Sequence, residues 1–405
     1  MSYQFDHRQL ADEMEIFFFD DQIGAGLPVW LPNGVAIRDA LESFIKHQER
    51  RQGYQRVISP HIGRGSLFEA SGHLKSFGDN MFPPMKWPDE QVDYYLRPMN
   101  CPHHHKVFSS SQRSYRDLPL RIAEYGQVYR YENSGSLRGL IRARCLCQND
   151  AHIYVNPSEA RSEIERVLDL HEFCYSVLGL KGYRYRLSKY DPNRPDDFDG
   201  AHDEWLKCED ILRQSLIEKN LPFFEADGEA AFYGPKIDVQ MKVGPAEEES
   251  VASVQLDFNS AKKFDLKYIA SSGELERPWV IHRAPLGSHE RFVSLLLEFY
   301  DGQLPGWLSP VQLYMIPIGE EGLRFAQKLE QELIKHGVRV VVDNNAGSLS
   351  KRVLFAHRFR PFAKLVVGQK EAQDGPLVLQ LRDRKVSCSF GNLVEQIKPM
   401  ISVPA

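Results

Sequence analysis

The sequence predicts a mixed α/β chain: a large domain on a largely antiparallel sheet flanked by helices, followed by a small α/β domain. Three observations carry that prediction. Residues 126–132 and 144–154 are two β-compatible stretches around the turn-rich Asn133-Ser-Gly-Ser136, the pattern of a long antiparallel hairpin. Residues 231–243 and 253–258 alternate in the same way. Beyond the Gly- and Pro-rich stretch from Asp301 to Pro310, strands (311–316, 338–342, 364–367) alternate with helices (322–336, 348–358), as in a small domain with parallel pairing. The expected division is therefore a domain over 1–300, a linker over 301–309 and a second domain over 310–405.

The remaining elements follow in order. Val35, Ile37, Leu41, Phe44 and Ile45 recur at helical spacing and predict a helix over 33–52, stopped by Gly53. A short strand over 55–59 then ends at Pro60. Residues 157–178 predict a helix that turns Ile164, Val167, Leu168 and Phe173 inward. A strand over 279–283 and a helix over 288–299 complete the large domain. No Gly-x-Gly-x-x-Gly or Walker sequence is present, so any ATP site is of another kind.

Composition narrows the class without naming it. The 405 residues are 42% hydrophobic and 26% charged, with 50 basic and 55 acidic side chains and a net charge of −5. That balance neither advertises nor excludes a nucleic-acid partner, which depends on local surface. No apolar run is long enough for a bilayer, and the polar start MSYQFDHRQL has no secretory pattern. Six cysteines in a chain this long predict reduced thiols in a cytoplasmic enzyme rather than a disulfide framework.

Three constellations carry chemistry. In Arg130-Tyr-Glu132, strand alternation would place Arg130 and Glu132 on one face, as a cross-strand ion pair or as a nucleotide clamp. In His282-Arg-Ala-Pro-Leu-Gly-Ser-His-Glu-Arg291, a glycine before a helix start leaves backbone donors free, though an ordinary capped helix would look the same. Cys101, His152 and His282 are metal-ligand types without a short zinc spacing, and the run Pro102-His-His-His105 competes with them as a metal site or an exposed helix start.

The combination is more specific than its parts. Asp117-Leu-Pro-Leu-Arg-Ile-Ala-Glu-Tyr-Gly126 runs into Arg130-Tyr-Glu132, Ser134-Gly-Ser-Leu137, Gly139-Leu140, Arg142-Ala-Arg144 and Gln148-Asn-Asp-Ala-His-Ile153. Ile281-His-Arg-Ala284, Leu286-Gly-Ser288 and Glu290-Arg291 follow. Met99-Asn-Cys-Pro102, Phe232-Tyr-Gly-Pro-Lys-Ile237 and Gln255-Leu-Asp-Phe258 lie around them. In this order the segments resemble the threonyl-tRNA synthetases, a family of class II synthetases. They are similar to its motif 2, its motif 3 and further threonyl-type signatures, with residues 53–60 similar to the dimer-forming motif 1.

The resemblance implies a fold and a chemistry. The fold would be the class II antiparallel sheet flanked by helices, with an anticodon-binding-type α/β domain after it. Zn²⁺ would be held by Cys101, His152 and His282, leaving coordination positions open for a substrate with adjacent amino and hydroxyl groups. Valine, lacking the hydroxyl, would be rejected strongly. Serine differs by one methyl, worth roughly 1–3 kcal/mol. Asp150 would pair with the substrate ammonium, while Gln148, Tyr233 and Lys236 help place the amino acid. ATP, with Mg²⁺, would be held by Arg130, Glu132, Arg142, Gln255 and Arg291; Arg130 would bridge the substrate carboxylate and the α-phosphate, and Arg291 would cover adenine and reach the γ-phosphate. His73, in Ser71-Gly-His73, matches a family histidine implicated in acyl transfer to tRNA(Thr). The basic helix with Ser350-Lys-Arg352 and His357-Arg-Phe-Arg360 would contact phosphates.

Several positions depart from the family pattern. The match begins near Asp6-His-Arg8, so the module that hydrolyses mischarged seryl-tRNA has no counterpart. Leu146 stands where an aromatic stacks on adenine, and Glu249-Ser250 replaces Trp-Gln. Gln380, within Val378-Leu-Gln-Leu381, replaces a base-reading arginine, a loss of about 1–3 kcal/mol in discrimination, although Glu371 is retained. The expectation is a dimeric, cytoplasmic threonine–tRNA ligase. A paralogue that passes the activated amino acid to another acceptor, such as a carrier protein, is the second reading. A non-catalytic tRNA-binding subunit is the third, opposed by the retained Arg130, Glu132, Arg291 and metal-ligand residues.

Overall fold

The computed structural model describes residues 6–87, 89, 91–243 and 247–404. The chain divides into two compact units, one of Met1–Ile23, Pro28–His47 and Val293–Ala405, the other of Gly24–Leu27 and Gln48–Phe292.

The larger unit is built on an eight-stranded sheet. Its strands run, from edge to edge, Phe223–Ala226, Arg184–Ser188, Lys236–Val243, Glu247–Asp257, Trp279–Ala284, Cys145–Val155, Leu120–Tyr129 and Gln55–Arg56. Pairing is antiparallel through the middle and parallel only in the outermost pair at each edge. The largely antiparallel sheet expected from the alternating segments is therefore present. The hairpin at its heart starts earlier than expected, at Leu120, and its first strand ends at Tyr129. Arg130 and Glu132 lie beyond it, so the same-face argument for that pair does not hold. The backbone N–H of Tyr131 turns away to donate to Asn80 O at 2.8 Å.

Helix Ala160–Val177 packs on strands Glu247–Asp257 and Trp279–Ala284, beside helix His202–Glu218. Ile164, Val167, Leu168, His171, Cys174 and Tyr175 form its buried stripe. Phe173, expected to point inward, is 37% exposed. It follows Ile164 by two and a half turns and so faces the opposite side.

The smaller unit holds a five-stranded sheet ordered Val340–Val342, Leu313–Pro317, Ala363–Val367, Leu377–Leu381 and Lys385–Cys388. The first three strands are parallel and the last two antiparallel. Leu313, Met315, Leu365 and Val367 meet Leu329 and Leu333 of helix Gly319–Lys335 and Leu393 and Ile397 of helix Leu393–Ile401 in its core. The strand–helix alternation expected after residue 310 is present. In helix Pro32–Arg51 the predicted stripe of Ile37, Leu41, Phe44 and Ile45 is fully buried, while Val35 is 42% exposed. Among the described residues no helix is long and apolar enough to cross a membrane.

One buried ion pair ties elements of the larger unit together. Arg283 Nη2 donates to Glu49 Oε1 at 2.7 Å, Asn149 Nδ2 donates to the same oxygen at 3.1 Å, and the guanidinium lies 4.3 Å over the Tyr54 ring. Glu49, near the helix end, thereby holds the far faces of strands Trp279–Ala284 and Cys145–Val155. Glu49→Ala strands a guanidinium away from water and is expected to cost roughly 3–5 kcal/mol in urea unfolding. A loss of under about 1 kcal/mol, the range of an exposed pair, would show that Arg283 has another anion.

Candidate metal centre and nucleotide cleft

The register of four neighbouring strands lays a row of side chains across the sheet. Lys236 stands opposite Gln255, Gln255 opposite His282, and His282 opposite His152. Because strand side chains alternate, Gln148 and Asp150 share the face of His152. Cys101 reaches the same spot from the first residue of helix Cys101–Ser109. The sulfur of Cys101 and one nitrogen each of His152 and His282 lie within 4.8 Å of one another, all buried. The expected triad is assembled.

Each imidazole also has a side-chain partner. His282 Nε2 lies 3.0 Å from Asp257 Oδ2, and His152 Nδ1 lies 2.8 Å from His104 Nδ1. Tyr233 stacks on His282 at 4.9 Å and donates its hydroxyl to Gln255 Oε1 at 2.5 Å. Burial, followed by the charge of His282, holds His152 well below its usual value and hence neutral. Burial opposes ionisation of Asp257, but hydrogen bonds from His282 and Ser260 outweigh it and keep the carboxyl low. One sulfur and two nitrogens, with a cleft on the open side, are a donor set suited to Zn²⁺.

The rival run resolves differently. His103, His104 and His105 are all buried, so they are not an exposed helix start, and none of them joins a ligand group among the described residues. His105 Nδ1 lies 3.0 Å from the Tyr154 hydroxyl, and His104 Nε2 lies 2.9 Å from Glu124 Oε2.

The triad lines a cleft of about 510 Å³ together with Arg130, Gln148, Asp150, Tyr233, Lys236 and Gln255. A second hollow shares Arg130, Gln148 and Gln255 with it and adds Glu132, Arg142, Leu146, Ser250 and Arg291. Arg130 and Arg291 are held below their usual values, first by burial and then by the positive charge of neighbouring arginines. Crowded cations of this kind favour an anionic guest. Arg291 donates to Ile141 O and Ser250 O at 3.2 and 2.7 Å. Glu132 accepts from Arg142 Nε at 2.9 Å, so its ion pair is with Arg142. Lys236 pairs with Asp238 at 2.7 Å.

His73 is placed apart from expectation. It is 1% exposed, lines neither hollow, and has Nε2 3.8 Å from Cys101 Sγ and Nδ1 2.7 Å from Ser71 Oγ. Burial, followed by the charge of Lys263, pushes it down to about 3. The imidazole packs behind the sulfur, outside the residues that line the two hollows.

Three further positions shape the site. Asn100 donates to Asp150 Oδ2 at 2.9 Å, and it lies where a Cβ on Gly126 would come within 2.2 Å of its Oδ1. Gly287, at φ +52°, allows the turn before helix His289–Phe299 to press on the Val251 carbonyl, 2.2 Å from where a Cβ would stand. Asp257 falls inside a quoted motif without an assigned role. Asn100, beside Cys101 at a helix start, and Gly287, before a helix, carried local signals.

Known proteins resemble the chain along its length. Residues 85–300 match the model of the tRNA synthetase class II core domain (G, H, P, S and T), and residues 312–399 match the anticodon binding domain. The threonine–tRNA ligase of Pelodictyon phaeoclathratiforme is 40% identical over 98% of this chain and 61% of its own length. That of Chlorobium limicola is 42% identical over 93% of this chain and 58% of its own. The chain thus spans less than two thirds of these curated relatives. A crystal structure titled as the RNA binding domain of threonyl-tRNA synthetase from Cryptosporidium parvum Iowa II superposes with a TM-score of 0.92 at 33% identity, covering 99% of both chains. A putative threonyl-tRNA synthetase from Aeropyrum pernix superposes at 0.84 with 29% identity, covering 98% of this chain and 96% of that one.

A buried carboxylate with four hydrogen-bond donors gives a pH test. Burial raises Glu124, but hydrogen bonds from His104 and Ser59 and the charge of Arg97 bring it down to about 2 from an ordinary 4.5. A carboxyl lowered in the fold contributes stability that is complete above 4.5 and is lost as pH falls toward 2. Glu124→Gln should flatten the acid limb of a stability–pH curve; an unchanged slope in that window would show that other carboxyls set it.

Proposed function

This chain belongs to the threonyl-tRNA synthetase family of class II synthetases, and from that premise we propose that it activates threonine with ATP and transfers it to the 3′ end of tRNA(Thr). The observation that carries the reading is the buried Cys101–His152–His282 triad at the floor of a cleft whose other end is lined by Arg130 and Arg291.

In this proposal Cys101, His152 and His282 hold Zn²⁺, which supplies a Lewis-acidic position for the adjacent amino and hydroxyl groups of the amino acid. Asp150, steadied by Asn100, takes the ammonium. Tyr233, Gln148 and Gln255 bound the side-chain pocket, and Lys236, paired with Asp238, lines it beside them. Arg130 bridges the carboxylate and the α-phosphate, so both reacting groups share one cation. Arg291 covers the adenine hollow, whose walls are Leu146 and Ser250, with Glu132 and Arg142 at its rim. ATP enters with Mg²⁺. His73 we assign to the Cys101 thiol as its hydrogen-bond partner, rather than to the transfer step.

The proposal extends to organisation. The catalytic part spans 1–300, a linker 301–309, and the anticodon-binding part 310–405. The short edge strand Gln55–Arg56, followed by Ile58 at 92% exposure, offers a surface for a homodimer. The protein works in the cytoplasm. A different acceptor is the second reading, favoured by one observation. Gln380 lines a hollow in which Arg382 is spent on the carbonyls of Gln303, Leu304 and Arg360, which leaves base-reading chemistry thin.

Two assays on the purified chain test this. Threonine-dependent ATP–pyrophosphate exchange, absent with valine and weak with serine, is expected, together with acylation of tRNA(Thr). Exchange without acylation would move the acceptor to the second reading, and no exchange with any amino acid would end both. Cys101→Ser should lose bound zinc and exchange together.

A further inference from the structure

Four side chains that line neither hollow form a buried chain behind the metal centre: Ser59, Arg97, Glu124 and His104. Glu124 accepts at all of its lone-pair sites. Oε1 takes the Ser59 backbone N–H at 3.0 Å and Arg97 Nη2 at 3.1 Å, and Oε2 takes the Ser59 hydroxyl at 2.7 Å and His104 Nε2 at 2.9 Å. Arg97 is itself fixed, donating Nε to Gln127 O at 2.7 Å and Nη1 to the Ser59 hydroxyl oxygen at 2.5 Å. Each member is buried.

The contacts fit one run of donors and acceptors. An ionised carboxylate only accepts, so His104 turns an Nε2–H to Glu124. Its Nδ1 faces His152 Nδ1 at 2.8 Å. When that Nδ1 accepts, His152 donates there and its own Nε2 is left bare. On the neighbouring strand His282 donates Nε2–H to Asp257, which leaves its Nδ1 bare. The two rings therefore offer opposite nitrogens to one point. His104 follows Cys101 by three residues, one turn of the same helix. A single short helix supplies both the sulfur and the group that orients the second ligand.

We propose that His104 is a positioning residue, anchored by Glu124, that fixes His152 in its Nδ1–H tautomer and keeps Nε2 available to a divalent cation. This rests on the triad being the zinc site of the proposed function. The anchor reaches Ser59, next to the exposed Ile58, so the segment expected at the dimer surface is joined to a metal ligand through two hydrogen-bonded side chains.

The test compares zinc affinity, by competition with a chromogenic chelator, in the full chain and in two variants. His104→Phe fills the space without an acceptor. His104→Gln keeps an amide oxygen toward His152 and an amide N–H toward Glu124. Loss of a group that orients a metal ligand weakens binding roughly 10–100-fold, so His104→Phe should fall by that factor and His104→Gln by much less, with both melting cooperatively. Wild-type affinity in folded His104→Phe overturns the proposal; absence of zinc binding in the unaltered chain overturns the zinc reading instead. Should His104→Phe fail to fold, histidine ¹⁵N shifts of the zinc-loaded unaltered chain decide the matter. Ligation of His152 through Nε2 is expected, and ligation through Nδ1 overturns the proposal.

Discussion

Strand register is the constraint on which the centre depends. Lys236, Gln255, His282 and His152 come from four strands and meet only because each is paired directly with the next. In a sheet with one face turned to a cleft, a slip of one residue sends every side chain of a strand to the other face. Here that slip would exchange His282 for Arg283 and His152 for Ala151 or Ile153. The Glu49–Arg283 and Glu49–Asn149 bonds guard against it from the far side, since both of those residues are the outward neighbours of cleft-facing positions.

Charge is graded along the cleft as well as across the sheet. Carboxylates of Asp150 and Asp257 crowd the metal end, and Arg130, Arg291 and Arg142 crowd the other. Under the proposed function, an amino acid with its ammonium toward Asp150 and its carboxylate toward Arg130 would lie along this gradient, and a polyphosphate would extend it past Arg291.

Legibility in the sequence followed distance along the chain. Motifs of contiguous residues, such as Arg142-Ala-Arg144 or Gln148-Asn-Asp-Ala-His152, were visible, and so was the alternation that marks the antiparallel sheet. Cys101, His152 and His282 carried no spacing of their own and emerged through the company they keep. His104 was misjudged because a histidine in a polar run looks solvated, whereas its helix is buried against Glu124. Phe173 lies half a turn out of phase with the buried stripe. The strand ending at Tyr129 lost its last residues to a backbone bond with Asn80, which no local pattern announces.

The spread of the ligands bears on how the protein is made. Cys101 and His152 emerge from a ribosome well before His282, and the strand carrying His282 completes its pairing only between segments already synthesised on either side, Glu247–Asp257 and Cys145–Val155. Contacts between residues so far apart form late, because the chain must close long loops first. Until residue 282 is in place, the sulfur of Cys101 and the imidazole of His152 are two-thirds of a donor set with no third member. On the proposed zinc reading, the complete donor set is a property of the finished sheet, not of any fragment of it.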